Sequence, residues 1–155
     1  AEHLPIIAKL TPNIADIGTV AVACVRAGAV AISAINTLAA LDVDPELERP
    51  LLGNGFGGLS GNAIRPIGLR KVLEIVQALN EAGLDTPVIG MGGISSAEDV
   101  VRYLLCGAHS VQIGTSLTGV PEHMSTITRG LAEWMDRKGY RDLADFRGRI
   151  LEWFS

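Results

Sequence analysis

Two segments end in glycine where chemistry would be placed: Ile89-Gly90-Met91-Gly92-Gly93-Ile94, and then Ile113-Gly114-Thr115. Glycine lets a backbone approach a ligand closely, so successive N–H groups and a following helix N-terminus can surround a phosphate, with the Thr115 hydroxyl as a further donor. Either motif alone is equally consistent with a tight turn. Their recurrence at consecutive strand ends favours phosphate binding. Lys9 stands inside the otherwise apolar Ile6-Ile7-Ala8-Lys9-Leu10. A buried ammonium is costly unless it meets an anion or strong acceptor, so an inward Lys9 implies a ligand or carboxylate, and an outward one a solvated strand edge. Asn36 and Thr37 follow a second apolar segment and offer an amide and a hydroxyl, either as turn residues or to orient a polar heterocycle or carboxylate.

Other reactive side chains carry less. Cys24 and Cys106 fall within helical patterns and read as core packing. His3 lies near the terminus, His109 in a turn and His123 in a long helix, with no partner that suggests a triad. Asp42, Asp44, Glu46 and Glu48 read as solvated surface, not a metal site. The run Gly53 to Gly61 is too long and glycine-dense for a simple connector, and reads as a functional or mobile loop.

These residues require elements that hold them. The chain repeats a short apolar strand and an amphipathic helix four times. Ile6 to Leu10 leads through Thr11-Pro12-Asn13 into a helix, with Asn13 as its expected N-cap, Gly28 as its stop, and Ile14, Ile17, Val20, Ala21 and Cys24 on one face. Ala29 to Asn36 is a second strand, followed by an irregular stretch from Thr37 to Ala63. A helix from about Arg65 to Ala82 buries Leu69, Val72, Leu73, Val76 and Leu79. Pro87 to Gly90 precedes a helix opened by Ser95 and Glu98 at capping-box spacing. Ser110 to Gly114 precedes a helix from about Pro121 to Lys138, and a last helix starts near Asp142. Alternating strands and helices predict a parallel sheet with right-handed crossovers, either an open doubly wound sheet or half of a barrel. In both, ligands gather at the C-terminal ends of the strands.

Bulk properties agree. The 155 residues are 48% hydrophobic, 5% aromatic and 19% charged, with 18 glycines, as suits an α/β chain with buried parallel strands. A complete eightfold barrel takes about 250 residues, so a whole barrel is not expected. The net charge of −4, without a dense Lys/Arg cluster, argues against nucleic acid or an anionic membrane and for a small-molecule ligand. No apolar run nears the roughly 20 residues of a membrane span. Two cysteines form no disulfide framework, and a cytoplasmic setting is expected. The start at Ala1, without Met and almost directly before a strand, suggests a fragment.

Ala8-Lys9-Leu10-Thr11-Pro12-Asn13, Ile35-Asn36-Thr37, Gly57 through Pro66, Gly90-Met91-Gly92-Gly93-Ile94 and Gln112-Ile113-Gly114-Thr115 resemble, in order, the class 1 dihydroorotate dehydrogenases. The ending Lys138-Gly139-Tyr140 through Gly148 is similar as well. The resemblance implies that residues 1–155 are the C-terminal four βα units, plus a terminal helix, of a (β/α)8 TIM-type barrel that binds FMN and oxidises dihydroorotate to orotate in pyrimidine synthesis. It implies Lys9 near flavin N1 and O2, Ile35 packed on the flavin, Gly61 touching FMN through its backbone, Gly92, Gly93, Gly114 and Thr115 on its phosphate, and Asn36 and Thr37 on orotate. The family's catalytic cysteine belongs to the other half of the barrel, so no catalytic residue is expected in this chain. Its partners would be an N-terminal half-barrel or further copies of the chain. The interval from Gly61 to Gly92 is a few residues longer than in typical members, an addition placed between Asn80 and Thr86. A related dihydropyrimidine dehydrogenase-type flavin barrel and a non-catalytic half-barrel binding a phosphorylated ligand stay open as alternatives.

Overall fold

A computed structural model describes residues 4–154. Its elements are β1 (Ile7–Leu10), α1 (Ile17–Arg26), β2 (Ala31–Ala34), β3 (Leu38–Ala40), β4 (Val43–Asp44), β5 (Arg49–Pro50), β6 (Gly57–Leu59), α2 (Arg65–Glu81), β7 (Val88–Met91), α3 (Ala97–Leu105), β8 (Ser110–Gln112) and α4 (His123–Lys138). Four strands form one parallel sheet in the order β1-β2-β7-β8. That order is the chain order of the repeating units, with no reversal. A doubly wound sheet reverses at a switch point, which sends its helices to both faces. Here consecutive crossovers of one hand stack the helices on a single face, and α1 contacts α2, α2 contacts α3, and α3 contacts α4. The architecture is therefore four βα units of a TIM-type barrel.

The register fixes which residues face the helices. Ile32 pairs with Val88 and Ala34 with Gly90, and all four are buried under the helix layer. Against them pack Ile17 and Ala21 of α1, Val72, Ile75 and Leu79 of α2, and Val100, Tyr103 and Leu104 of α3. The other face carries Lys9, Ser33, Ile89 and Ser110 in one row, and Met91 beside Gln112 in the next. This is the side a closed barrel would enclose. At its edge Ile7 is 52% exposed.

Several expectations change. Asn13 does not cap α1; Asp16 does, accepting from Thr19 N, while Asn13 accepts from Ala39 N and donates to Thr37 O. The buried faces also differ from those expected: Val20 is exposed at 38%, and Ile75 joins the buried face of α2. The N-cap of α3 is Ser96, one residue later than expected: its hydroxyl accepts from Asp99 N, and the Asp99 carboxylate accepts from Ser95 N. The stretch from Thr37 to Ala63 is not irregular: β3 pairs antiparallel with β6, and β4 with β5. In place of a last helix there are two 3₁₀ turns, Leu143–Asp145 and Leu151–Phe154. They are held by a cluster of Trp134, Tyr140 and Phe146 with ring centroids 5.0–5.6 Å apart. Among the described residues no helix is long and apolar enough to cross a membrane.

Asp99, 1% exposed, ties two helices together. Its carboxylate meets Arg65 of α2 at 2.9 Å and Arg102 of α3 at 2.7 Å, and accepts from Ser95 N at 3.0 Å. Burial alone would raise its pKa, but the Ser95 N–H, the Arg65 charge and the Ser95 and Ser96 hydroxyls outweigh it and hold the carboxyl below its ordinary value. The ordinary aspartate value is about 3.9, so in acid the unfolded chain binds the proton more tightly than the folded one. The stabilisation is then complete above that pH and is lost as pH falls through the lowered value of the folded state. Asp99→Ala should cost about 2 kcal/mol at neutral pH, and chemical unfolding followed from pH 7 to 3 should show the gap to wild type shrinking only below about pH 4. A gap that closes already near pH 6 would refute this assignment. Ile75→Ala, at a site of zero exposure, should cost about 2–5 kcal/mol independently of pH in the same assay.

Candidate functional site

The sheet places the C-terminal ends of β1, β2, β7 and β8 side by side, and a cleft of about 410 Å³ opens there. Lys9 enters it from β1, and Ile35, Asn36 and Thr37 follow β2. Gly61 comes from the turn before α2, Gly92 and Gly93 follow β7, and Gly114 and Thr115 follow β8. All nine sequence-predicted site residues thus share one cavity.

Lys9 lies on the open face of the sheet, with Nζ donating to Asn36 Oδ1 at 2.5 Å. Among the described residues no carboxylate lines the cleft, and the amide is its acceptor. That bond consumes the carbonyl side of the Asn36 amide and leaves its NH2 as a donor. Ile35 is buried at 2% exposure, its N–H bonded to Met91 O, and its Cγ1 lies 3.2 Å from where a Gly92 side chain would start. The Ala34–Ile35 peptide bond is cis. Thr37 is crossed by β6 so closely that a Cβ on Gly58 would stand 2.1 Å from its Oγ1. The glycine-dense run is thus the return strand of a hairpin that lies on Thr37, and it carries Ser60 and Gly61 to the cleft.

The loop after β7 is built by close approach. Gly92 and Gly93 have φ of +123° and +71°, and a Cβ on Gly93 would lie 2.8 Å from Arg65 Cβ, Arg65 N and Gly61 O. A side chain fails there on both backbone and space. On the far side Gly114 faces open space, and Thr115 Oγ1 donates to Ser60 Oγ at 3.0 Å. The backbone N–H groups of Gly93, Ile94, Gly114 and Thr115 have no acceptor among the described residues. Unpaired donors on either side of the cleft, with no room for a side chain at Gly93 and with Lys9 the single charged residue of the lining among the described residues, suit a phosphate-bearing ligand.

Among the described residues the lining holds no carboxylate, imidazole or thiol, the groups that most often act as a general base. Cys106 is buried at the end of α3, where burial pushes its thiol up to about 11, and it stays protonated at neutral pH. His109 receives Val88 N at the opposite end of the sheet, and burial, followed by the nearby Arg147 charge, lowers its pKa against a smaller pull from Asp85. His123 meets Ser95 O at 2.8 Å. His3 lies outside the described residues. Among the described residues no group of three or more His, Cys, Asp or Glu is arranged to hold a metal.

Sequence reasoning did not single out Ser60, Asn62, Met91, Gln112 or Ser116, all of which line the cleft. Strand parity was a usable signal for Gln112, which shares the face of Ser110 and whose Oε1 accepts from Ser33 Oγ across the sheet at 3.2 Å. Ser60 and Ser116 had none, since loops set them.

The family model described as dihydroorotate dehydrogenase matches residues 1–135. A Desulforudis audaxviator protein named dihydroorotate dehydrogenase B (NAD(+)), catalytic subunit, is 45% identical over 146 residues, covering 94% of this chain and 46% of the relative. Proteins of the same name from Solidesulfovibrio magneticus and Shouchella clausii are 46% and 41% identical over 97% and 94% of this chain, and 47% and 46% of their own lengths. The chain spans about half the length of the curated relatives it matches. Matched by the family model over residues 1–135 and by these relatives over 94% or more of its length, the chain belongs to the dihydroorotate dehydrogenase family.

Proposed function

We propose that this chain is the C-terminal half of a flavin barrel that binds FMN and, in the complete protein, oxidises dihydroorotate to orotate for pyrimidine biosynthesis. The observation that carries the reading is the convergence, in one cleft, of a single cation and four unpaired backbone donors at consecutive strand ends. When bound, FMN would supply the hydride acceptor for this oxidation, and the base for the substrate's proton would come from outside this chain.

The chain's own residues bind and orient. Gly92 and Gly93 let their loop come close enough to hold the phosphate, the backbone N–H groups of Gly93, Ile94, Gly114 and Thr115 meet it, and Gly61 touches the cofactor through its backbone. Ile35 forms the apolar floor for the ring. Lys9 sets a positive charge beside the ring edge, where it favours negative charge that develops during reduction. The Asn36 NH2, freed from its carbonyl partner by Lys9, and the Thr37 hydroxyl orient the substrate.

A half-barrel leaves β1 and β8 unpaired on their outer edges and leaves the inner sheet face open. An N-terminal half-barrel is the partner that covers both, and it brings the base; further copies of the chain are the alternative cover. The relatives are named as catalytic subunits of NAD(+) enzymes, so a further subunit passing electrons to NAD+ is the acceptor route we assign.

Co-producing the chain with the N-terminal half of a relative should yield a yellow assembly that releases FMN on denaturation and is bleached by dihydroorotate. A colourless assembly, or one that dihydroorotate does not bleach, would overturn the reading. In that assembly Lys9→Ala should slow dihydroorotate oxidation roughly 100-fold while FMN stays bound, measured by anaerobic flavin bleaching. Gly93→Ala should cost FMN itself, read as the flavin content of the purified assembly.

A further inference from the structure

A pair of glycines is a poor phosphate clamp by itself. Without side chains, the peptides around Gly92 and Gly93 rotate easily, and a rotated peptide turns a carbonyl oxygen, with its partial negative charge, toward the anion. In this structure three carbonyls of the loop are tied down by side chains from three different elements. Gly92 O accepts from Tyr103 Oη of α3 at 2.7 Å, Ile94 O from Ser116 Oγ at 2.8 Å, and Ser95 O meets Nε2 of His123 in α4 at 2.8 Å. A carbonyl can only accept, so Nε2 of His123 carries the proton. Ser95 N is bound as well, to Asp99 Oδ2 at 3.0 Å.

Tyr103 is the most deeply built of these ties. It has zero exposure and does not line the cleft. Its ring fills the space a side chain on Gly90 would take, 2.5 Å from Cδ1, and its hydroxyl the space of one on Gly68, at 2.0 Å. Two glycines on two elements thus admit one phenol, whose hydroxyl reaches Gly92 O and, at 3.3 Å, Met91 O.

We infer that Tyr103 and His123 are positioning residues that set the phosphate affinity of this site: Tyr103 holds the Gly92 carbonyl away from the cleft so that the Gly93 N–H of the same peptide faces the anion, and His123 anchors the loop just beyond it at the Ser95 carbonyl. The inference rests on the proposed FMN reading, since it concerns the phosphate end of that ligand. Neither residue reaches the ligand. Each acts through the loop.

Riboflavin, which carries the same ring without phosphate, separates this effect from general loosening of the fold. Titrating the 155-residue chain with FMN and with riboflavin, followed by flavin fluorescence, gives the preference for the phosphate. Tyr103→Phe keeps the ring and removes only the hydroxyl; it should weaken FMN roughly tenfold and leave riboflavin unchanged. His123→Ala should act in the same direction, and His123→Gln, which restores an N–H donor, should recover part of the loss. A wild-type preference for FMN that Tyr103→Phe and His123→Ala both retain would overturn the inference while leaving the FMN reading intact. Equal binding of FMN and riboflavin by wild type would instead overturn the phosphate reading, and this inference with it. Should Tyr103→Phe fail to fold, the His123 pair decides alone.

Discussion

The start of α2 meets the loop after β7 with no room for a side chain between them. A Cβ on Gly93 would stand 2.8 Å from Arg65 N and from Gly61 O, so the turn that ends the hairpin, the first residue of α2 and the glycine pair form one contact. The rest of the cleft is referenced to it. Asp99 binds Arg65 from below and Ser95 from behind, so α3 is locked to the same place. Thr115 reaches Ser60, which brings the loop after β8 against the other end of the turn. Three strand ends are therefore positioned by one close approach and two polar ties, and backbone donors from separate loops can converge on a single anion. A site of this kind depends on packing, not on any one functional side chain.

The open face of the sheet has a different logic. Its row of Lys9, Ser33, Ile89 and Ser110 mixes charge, hydroxyl and aliphatic carbon, which is the composition of a cavity wall and not of a closed core. Polar groups there need partners once water is excluded. Ser33 has Gln112 and Lys9 has Asn36, so these two polar side chains of the wall are already paired inside the half. Apolar Ile7 on the same face has no such resolution and is 52% exposed. The apolar part of the wall calls for the complementary half of the barrel.

What the sequence made legible follows from how locally each feature is determined. Strand-then-helix alternation and the glycines at strand ends are written in short windows, and the elements, the parallel pairing and the shared cleft follow from them. Asn13 illustrates the opposite case. Its spacing before an apolar stripe is that of a cap, yet its amide is used across 26 residues by Ala39 N, and Asp16 caps instead. Ser95 and Glu98 had the spacing of a capping box, but Asp99 is buried against two arginines, which shifted the cap to Ser96. Gly57 and Gly58 read as looseness until the hairpin register laid them on Leu52 and Thr37. Tyr103 was invisible for the same reason: nothing near it in sequence signals that Gly68 and Gly90 make room for its ring.

The division between what this chain holds and what it lacks is chemically consistent. Binding an anion through backbone donors works best where no carboxylate competes for them, and the lining contains none. Proton abstraction needs the reverse, a basic group with free lone pairs near the reacting carbon. Putting both on the same few loops would set a base against the cation and donors that hold the ligand, and each would weaken the other. A barrel separates them at no structural expense, because its strand ends form a ring and opposite halves face each other across the ligand. This half holds the donors, the cation and the carbonyl ties, while the Cys106 thiol is buried at the end of α3 and held protonated, away from the cleft lining.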